Sequence, residues 1–559
     1  MTELACLPYG VDSLHEGVCL MVRMGNYRIL LDCGLTDLTP LLASARGMPP
    51  VDAVFCSHAH ADHARGLLEL HRLFPKLPIY ASEATTQLLP LNWLDDSEVG
   101  ASMGQALPWR SPVEFLPGFT VELFPAGHLP GAAALQLTYE GRDRSYTVFY
   151  SGDFLLSNAR LVNGLPLEEL RGLRPDVLIV EGTYGTARHP RRRQQENHLA
   201  ELIDRAIAHQ HSVLLPTATL GLGQELLMLL RSHHHFTGRD IDIWVDPMIA
   251  AGCDAYLSLL PHLPSSVQNF ARHQPLFWDE RVRPHVRRLL PNTNLSKALS
   301  SSKPCIVLSH REAALEPYLE ASAFPWLLLL SHQPGEFDPT QSILSTGTAR
   351  SPSLPTALQS GQLTLETYLL SEHCDGPSTT QLIHNLRPQH VVFFHGPPTY
   401  LADLTSLEEL QNRYQLHTPS VGTLVDLPVG ETFIQPAPPD NHYQGELLET
   451  ETGVQIQLPE TLMADPRWAQ FADTGVVEAR WQGEELVIRT VLQREVLNRN
   501  RDRLLPTDTE CCQNCQYCRG QRCWNQASPL HGFRVSPEGY CPAFEAIAPY
   551  PPLDNSQTG

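Results

Sequence analysis

The chain has 559 residues, which is too long for one compact domain and indicates about three or four domains. Hydrophobic residues make up 42% and charged residues 18%, an ordinary globular balance, while the formal net charge of −21 argues mildly against a nucleic-acid substrate unless basic groups are clustered. No apolar run reaches the ~18 residues needed to span a bilayer, so we expect a cytoplasmic protein with no membrane partner.

Short apolar, strand-like runs that end in polar or glycine residues dominate residues 1–185. Four of them are YRILLDCG (27–34), DAVFCSHAH (52–60), YTVFYSGDF (146–154) and DVLIVEGTYG (176–185). Polar residues at the ends of buried strands are where α/β proteins place their sites. From 186 to 371 the pattern becomes helical with Pro-rich connections, which predicts an inserted domain. Strand-like runs return in HVVFFHGP (390–397), so we expect the first domain to close over 372–434.

The rest of the chain divides by composition. Residues 435–444 (QPAPPDNHYQ) have the Pro and Asn content of a linker, and alternating segments within 445–508 predict a small β-rich domain. Six cysteines crowd into a module at 509–546, and we expect the tail 547–559 to be disordered.

The densest chemical signal is the sequence HAHADH, directly after an apolar run. It places His58, His60, Asp62 and His63 within six residues. If the loop turns alternate side chains to opposite sides, these donors can bind two cations, and imidazole with carboxylate suits Zn²⁺. Further candidate ligands occur at other strand ends, in the order Asp32, His128, Asp153 and His395.

The ordered motifs DCG, HAHADH, GHLPG, SGDF and EGTYG resemble the metallo-β-lactamase core. EGTYG, with the later SEHCD and HG, is similar to the β-CASP branch, which includes ribonuclease J, the RNA-maturation endonuclease of the polyadenylation complex and the Artemis and Snm-type DNA nucleases. The resemblance covers about residues 1–432. It implies a four-layered αββα sandwich with an inserted α/β β-CASP domain.

The resemblance also implies roles for individual residues. One metal would be held by His58, His60 and His128, the other by Asp62, His63 and His395, with Asp153 bridging them and Asp32 orienting ligands. His373 would give a proton to the leaving alkoxide, and Glu181 would hold the tautomer of that histidine. Two Zn²⁺ are expected, with Mn²⁺ or Mg²⁺ as alternatives.

The inserted domain departs from the family pattern. Leu222 stands where the family usually carries Arg, LSHREAALEP (308–317) lacks the glycines of a phosphate-binding loop, and Glu372 replaces a small residue. A basic cluster could replace the lost phosphate contacts, and its members are Arg191, Arg192 and Arg193. A solvated helix face is the alternative interpretation of this cluster.

The C-terminal cysteines predict a metal module. Four thiolates can enclose one tetrahedral Zn²⁺ or one iron–sulfur cluster, and the spacing leaves both open. The ligand set that we favour is Cys512, Cys515, Cys523 and Cys541, which leaves Cys511 and Cys518 over.

The sequence therefore predicts a two-metal hydrolase that cleaves nucleic-acid phosphodiesters, in particular an RNA-processing ribonuclease. Only the resemblance to bacterial members favours RNA over DNA as the partner. A metallo-hydrolase of a small ester or thioester is one alternative, and an inactive RNA-binding or scaffold subunit is another. Assembly into a homo-oligomer stays open.

Overall fold

The structure, a computed structural model, divides into two compact units, Met1–Ala437 and Pro438–Gly559. In the first unit it describes residues 3–12 and 17–430, apart from 44, 46, 95–102, 280, 292, 300–302 and 332–353. In the second it describes 447–450, 453–457, 476–482, 485–490, 512, 515–519, 522–526, 535 and 544–545. Within these residues, no helix is both long and apolar enough to cross a membrane.

Two seven-stranded sheets form the body of the first unit. The first sheet consists, in spatial order, of β20 (Val425–Asp426), β1 (Leu4–Asp12), β2 (Gly17–Met24), β3 (Tyr27–Leu31), β4 (Ala53–Phe55), β5 (Ile79–Ser82) and β6 (Gln105–Leu107). The second consists of β19 (Gln415–His417), β18 (His390–Phe394), β11 (Val177–Glu181), β10 (Ser145–Tyr150), β9 (Ala133–Glu140), β8 (Phe119–Pro125) and β7 (Val113–Leu116).

The two sheets pack face to face because their strands are apolar on both sides. In β2, Leu20 and Val22 join a cluster that also contains Leu135 and Val148 of the second sheet. Cys19, the residue before Leu20, belongs to a different cluster on the opposite face. This alternation follows from the two-residue period of a strand. Helices cover the outer faces, so the predicted αββα sandwich is confirmed.

The helices of this sandwich are short. Their bounds are Thr39–Leu42, Ala61–Ala64, Leu67–Leu73, Glu83–Leu88, Leu89–Trp93 (a 3₁₀ helix), Leu167–Leu170, Gly376–Leu386, Pro398–Thr405 and Glu408–Gln411. Side-chain caps fix the start of two of them. Ser82 accepts a hydrogen bond from the backbone N–H of Thr85, and Asp375 accepts one from that of Ser378.

A third sheet lies between β11 and β18 in the chain. Its six strands run parallel in the order β14 (His285–Arg288), β13 (Asp242–Val245), β15 (Ile306–His310), β12 (Ser212–Thr217), β16 (Trp326–Ser331) and β17 (Leu363–Tyr368). The surrounding helices are Arg192–Ala208, Leu222–Ser232, Pro247–Ser258, Leu260–His262 (3₁₀), Ser265–His273, Leu295–Ala298, Glu316–Ala321 and Leu354–Gln359. Because β11 and β18 pair directly, this α/β domain is an insertion, as the resemblance implied.

The described residues of the second unit form two small antiparallel sheets. One has the order β21 (Leu447–Thr450), β22 (Gly453–Gln457), β23 (Val476–Gln482) and β24 (Glu485–Thr490), and the other is a hairpin of β25 (Cys518–Arg519) and β26 (Arg522–Cys523). The predicted linker, the tail 547–559, Cys511 and Cys541 lie outside the described residues.

Candidate metal centre and active site

The histidines and carboxylates singled out in the sequence converge on one edge of the sandwich. His58 and His60 follow β4, while Asp153 follows β10 and His395 follows β18. Neighbouring strands β3 and β4 are parallel, and so are β10, β11 and β18, so their carboxyl ends meet at the same edge. This is the edge at which α/β proteins place their sites.

Three ring nitrogens form the first group. The Nδ1 atom of His60 lies 3.2 Å from Nε2 of His58 and 3.0 Å from Nε2 of His128. The Oδ2 atom of Asp153 lies 3.5 Å from the same nitrogen of His58 and 3.9 Å from that of His128. The four donor atoms lie within 4.8 Å of one another.

A hydrogen-bond relay fixes the tautomer of His58. The hydroxyl of Ser57 donates to Oδ2 of Asp32 at 2.8 Å, and the Oγ atom of Ser57 lies 3.0 Å from Nδ1 of His58. Since a hydroxyl has only one hydrogen, Ser57 must accept the second bond, and the proton of His58 is on Nδ1. The lone pair at Nε2 therefore faces the other two histidines.

The same reasoning applies to the other two rings of the first group. His128 donates from Nδ1 to the backbone carbonyl of Glu372 at 2.8 Å, which leaves a lone pair on Nε2. His60 directs Nε2 toward the carbonyl of Leu220 at 3.4 Å, which leaves its lone pair on Nδ1. Three lone pairs thus converge without a hydrogen between them.

The second group lies on the other side of Asp153. The Nε2 atom of His395 is 3.4 Å from Oδ2 of Asp62 and 3.6 Å from Oδ2 of Asp153. The Nε2 atom of His63 is 3.2 Å from the same Asp153 oxygen. Asp62, His63 and His395 can offer three donor atoms to one cation.

Tautomers are fixed here too. His63 donates from Nδ1 to Oδ2 of Asp32 at 2.8 Å. His395 has Nδ1 2.8 Å from the hydroxyl oxygen of Thr183, and that hydroxyl in turn donates to the carboxylate of Glu181. The hydroxyl must therefore accept from His395, so both histidines leave their Nε2 lone pairs for a cation.

The donor set fits two metal ions. Five imidazole lone pairs and two carboxylates point into one space, where they repel one another unless positive charge lies between them. The Nε2 atom of His63 and the Oδ1 atom of Asp153 are buried and have no hydrogen-bond partner among the described residues. Buried polar atoms are normally satisfied, so these two mark places for a ligand.

Electrostatics supports neutral imidazole ligands in the first group. Burial lowers the pKa of His58 and of His128 well below the ordinary value, which keeps both rings unprotonated. At His63 burial also disfavours the charged form, but the carboxylates of Asp153 and Asp32 outweigh it and raise the pKa. The environment of His63 therefore favours positive charge at Nε2.

His373 lies over both groups. Its ring centroid is 4.7 Å from that of His128 and 5.3 Å from that of His395. Its Nδ1 atom is 2.8 Å from Oε2 of Glu181, whose other oxygen accepts from the backbone N–H of Phe154 at 2.6 Å. Burial opposes protonation, but Glu181 and nearby Asp153 raise the pKa of His373 to about 9. With Nδ1 directed at Glu181, the ring of His373 can carry a second proton at Nε2.

Comparisons with known proteins agree with this geometry. A family model of the Beta-lactamase superfamily domain matches residues 27–216. An uncharacterised protein of Synechocystis sp. is 49% identical over 98% of this chain and 97% of its own length. Ribonuclease TTHA0252 of Thermus thermophilus is 31% identical over 54% of this chain and 72% of its own length.

The chain belongs to the β-CASP branch of the metallo-β-lactamase superfamily. Probable RNase MJ4 of Methanocaldococcus jannaschii is a further relative, 28% identical over 41% of this chain and 56% of its own length. The family resemblance carried by the sequence motifs is thereby confirmed.

Three residues that contact the predicted residues of this β-CASP site were not themselves predicted from the sequence, namely Ser57, Tyr150 and Thr183. Asp32 is fully buried and, besides His63 and Ser57, accepts a hydrogen bond from the hydroxyl of Tyr150 at 2.5 Å. Thr183 links Glu181 to His395. Ser57, Tyr150 and Thr183 each lie within or beside a motif, at most three positions from a residue already singled out, and that proximity was the available signal.

The three arginines of the basic cluster lie in two different environments of the β-CASP domain. Arg191 and Arg193 are exposed at the start of the helix Arg192–Ala208. Arg192 points inward, donates to the backbone carbonyl of Ser371 and lies 3.4 Å from Oε2 of Glu225. The structure therefore places Arg192 beneath the turn that carries His373, and its two neighbours in solvent.

Proposed function

We propose that this β-CASP protein is a two-metal hydrolase that cleaves RNA phosphodiesters in RNA processing. The observation that carries the proposal is the convergence of five imidazole lone pairs and two carboxylates beside His373, whose Nδ1 atom pairs with Glu181. Such a set serves hydrolysis of a substrate whose leaving group needs a proton. The names of the ribonuclease relatives support RNA as the substrate.

The residues of the two groups would hold the metals. His58, His60 and His128 would hold one cation, and Asp62, His63 and His395 the other, with Asp153 shared. Two divalent cations bound there supply Lewis acidity that activates water and neutralises charge on a phosphate. Imidazole-rich donors favour Zn²⁺, and the carboxylates also allow Mn²⁺.

His373 acts as the general acid in this proposal. Glu181 accepts its Nδ1 proton, so the ring presents Nε2–H to the oxygen that leaves. Phe154 holds the carboxylate of Glu181 from the other side through its backbone N–H, so the pair keeps its orientation without substrate. Asp32 touches no substrate position and acts by orienting His63.

Arg311 is the best-placed cation for a phosphate. It follows β15 in the segment where the sequence lacks a glycine-rich loop, and its side chain is exposed. Burial lowers the pKa of His60 to about 4, and the charge of Arg311 acts in the same direction. Arg311 also favours the charged form of Glu372. We infer that Arg311 contacts the RNA backbone over the metal groups, with Arg191 and Arg193 further along.

The test is cleavage of labelled single-stranded RNA by the purified chain with Zn²⁺ or Mn²⁺. We compare wild type with His60→Ala, His373→Ala and, as a matched control, His198→Ala on an exposed helix face. The first two should lose about 10²–10⁴-fold in rate, while the control should keep it. Metal content should fall in the His60 variant and persist in the His373 variant.

Arg311→Gln tests the phosphate contact, with the exposed Arg272→Gln as control. Loss of one phosphate contact should weaken RNA binding and reduce the slope of log affinity against log salt by about 1. An unchanged slope would remove Arg311 from the RNA interface.

A second candidate is hydrolysis of a small ester or thioester. The observation that favours it is the absence of glycine from the described segment after β15, residues 311–315, where a phosphate loop is expected. If wild type leaves RNA and DNA intact but hydrolyses a simple ester, and His373→Ala is without effect, this candidate replaces the nuclease. An inactive scaffold is disfavoured because no metal ligand is missing.

The cysteines of the second unit form a separate metal site in our proposal. The sequence left zinc and an iron–sulfur cluster as alternatives.

A further inference from the structure

Four cysteines of the second unit line one cavity. Its wall consists of Cys512, Cys515, Cys518, Cys523, Asn525, Val535 and Phe544. Cys512, Cys515 and Cys523 are buried, and Cys518 is half-buried. A segment with so little apolar surface of its own needs a further source of stability, and four thiols around a cavity indicate a bound metal group.

The backbone explains why these cysteines face the same space. The N–H of Cys515 donates to the carbonyl of Cys512 at 3.2 Å, and the N–H of Cys518 donates to that of Cys515 at 3.1 Å. Two successive three-residue turns therefore place Cys512, Cys515 and Cys518 on the same side of the chain. The hairpin of β25 and β26 then places Cys523 directly opposite Cys518.

The spacing of the sulfur atoms distinguishes the candidate metals. A tetrahedral zinc site has Zn–S bonds of about 2.3 Å, so its sulfurs lie about 3.8 Å apart. Among the described cysteines, no three sulfurs lie within 4.8 Å of one another. In a four-iron cluster each thiolate binds a different iron atom, so the sulfurs stand farther apart. The spacing of the described cysteines is therefore too wide for a preformed zinc site that uses three of them.

The order of the cysteines in the sequence also favours a four-iron cluster over zinc. Zinc modules typically use two separated pairs of ligands. Here Cys512, Cys515 and Cys518 form one continuous run with three-residue steps, and Cys523 follows five residues later. A run of three cysteines with three-residue steps is typical of four-iron clusters, whose fourth ligand comes from outside that run. Cys523 lies outside the run and on the same cavity wall. Val535 and Phe544 provide the apolar wall that shields a cluster from water.

We propose that Cys512, Cys515, Cys518 and Cys523 bind a [4Fe–4S] cluster. Each thiol releases its proton and binds one iron as a thiolate. This assignment takes Cys518, which lies on the described cavity wall, as the fourth ligand. The sequence favoured Cys541, which lies outside the described residues. The site is independent of the proposed ribonuclease centre and does not share its ligands.

The test uses the full chain, produced and purified without oxygen. Iron, acid-labile sulfide and zinc are measured per chain, together with the visible charge-transfer absorption of iron–thiolate bonds. We expect about four iron and about four sulfide. Sulfide separates a cluster from iron bound at the histidine site, which contributes no sulfide. Zinc without sulfide, or no metal beyond that held by the histidine site, would overturn the proposal.

Variants assign the ligands. Cys512→Ala, Cys515→Ala and Cys523→Ala should each remove most sulfide, while Cys305→Ala, a buried thiol of the first unit, should leave it unchanged. Because a ligand variant may also misfold the second unit, Cys518→Ser is compared with Cys541→Ser, which both keep a polar group. Sulfide lost with Cys541→Ser and retained with Cys518→Ser would overturn the assignment of Cys518. RNA cleavage is recorded in parallel and reports separately on the first unit.

Discussion

Thr183 offers the most specific test of how this site holds its metals. Its hydroxyl is the only group between the Nδ1 atom of His395 and the carboxylate of Glu181 in the described site, accepting from the first at 2.8 Å and donating to the second. The residue is 8% exposed, so water has little access to replace the hydroxyl. Thr183→Val removes the hydroxyl and keeps the shape.

The magnitude follows from the group left behind. The variant leaves the buried Nδ1–H of His395 without its partner, and an unsatisfied buried group costs about 1–3 kcal/mol. The Oε2 atom of Glu181 keeps its hydrogen bond from Nδ1 of His373. Part of this free-energy cost lowers the metal affinity, because the tautomer of His395 is no longer fixed. We expect metal affinity to fall about 10–100-fold, the usual effect of losing an outer partner of a ligand.

The assay is competition with a chelator, which gives the dissociation constant of each metal, followed by RNA cleavage at saturating metal. Thr183→Ser restores the hydroxyl and should regain most of the affinity. In the Thr183→Val variant, the metal site that contains His395 should have the lower affinity of the two. If Thr183→Val binds both metals as tightly as wild type and cleaves at a similar rate, the hydroxyl does not fix the tautomer, and the assignment of lone pairs is wrong.

Two further predictions concern close packing and pH. A Cβ atom on Gly34 would lie 1.6 Å from the backbone oxygen of Asp62, so Gly34→Ala should displace that ligand and lower both metal content and melting temperature. Burial, with His390 nearby, lowers the pKa of His417 from 6.5 to about 4. Because the unfolded chain then binds more protons, stability should fall as pH drops from about 6.5 to 4 in chemical denaturation, and His417→Gln should flatten this dependence.

The sequence predicted which histidines and carboxylates converge in the two groups because these residues occur in ordered motifs at strand ends. It did not predict the partners that fix their tautomers, since these contacts depend on how distant strands align. Tyr150 and Asp32 are 118 residues apart, and Thr183 and His395 are 212 apart. Only the parallel register of β11 and β18, with Glu181 opposite Phe394, brings the last pair together.

The strands of the inserted sheet were not predicted from the local sequence pattern, for a different reason. Its strands are short apolar runs such as SVLLPT in β12 and WLLLLS in β16. Buried parallel strands lack the alternation of half-exposed ones, so their periodicity does not separate them from buried helix segments. Only the family resemblance pointed to an α/β insertion, while the local pattern suggested helices.

Arg192 shows how a basic run can contain two kinds of residue. Its guanidinium lies 3.6 Å from Glu196 and 3.4 Å from Glu225, and it donates to the carbonyl of Ser371, two residues before His373. With 11% of the side chain exposed, it has little surface for RNA. Breaking a buried ion pair costs about 3–5 kcal/mol. We expect the lower end, because Glu196 also pairs with another arginine.

Arg192→Met should therefore lower the unfolding free energy by about 3 kcal/mol and reduce kcat, since the turn that carries His373 loses its support. KM for RNA should change little. Arg193→Met, one position further on the exposed face, should do the opposite, weakening RNA binding at low salt while leaving stability and kcat intact. Chemical denaturation and cleavage kinetics distinguish the two. A rise in KM with unchanged stability in the Arg192 variant would mean that this side chain, too, serves the RNA, and that the inward contacts do not hold the acid in place.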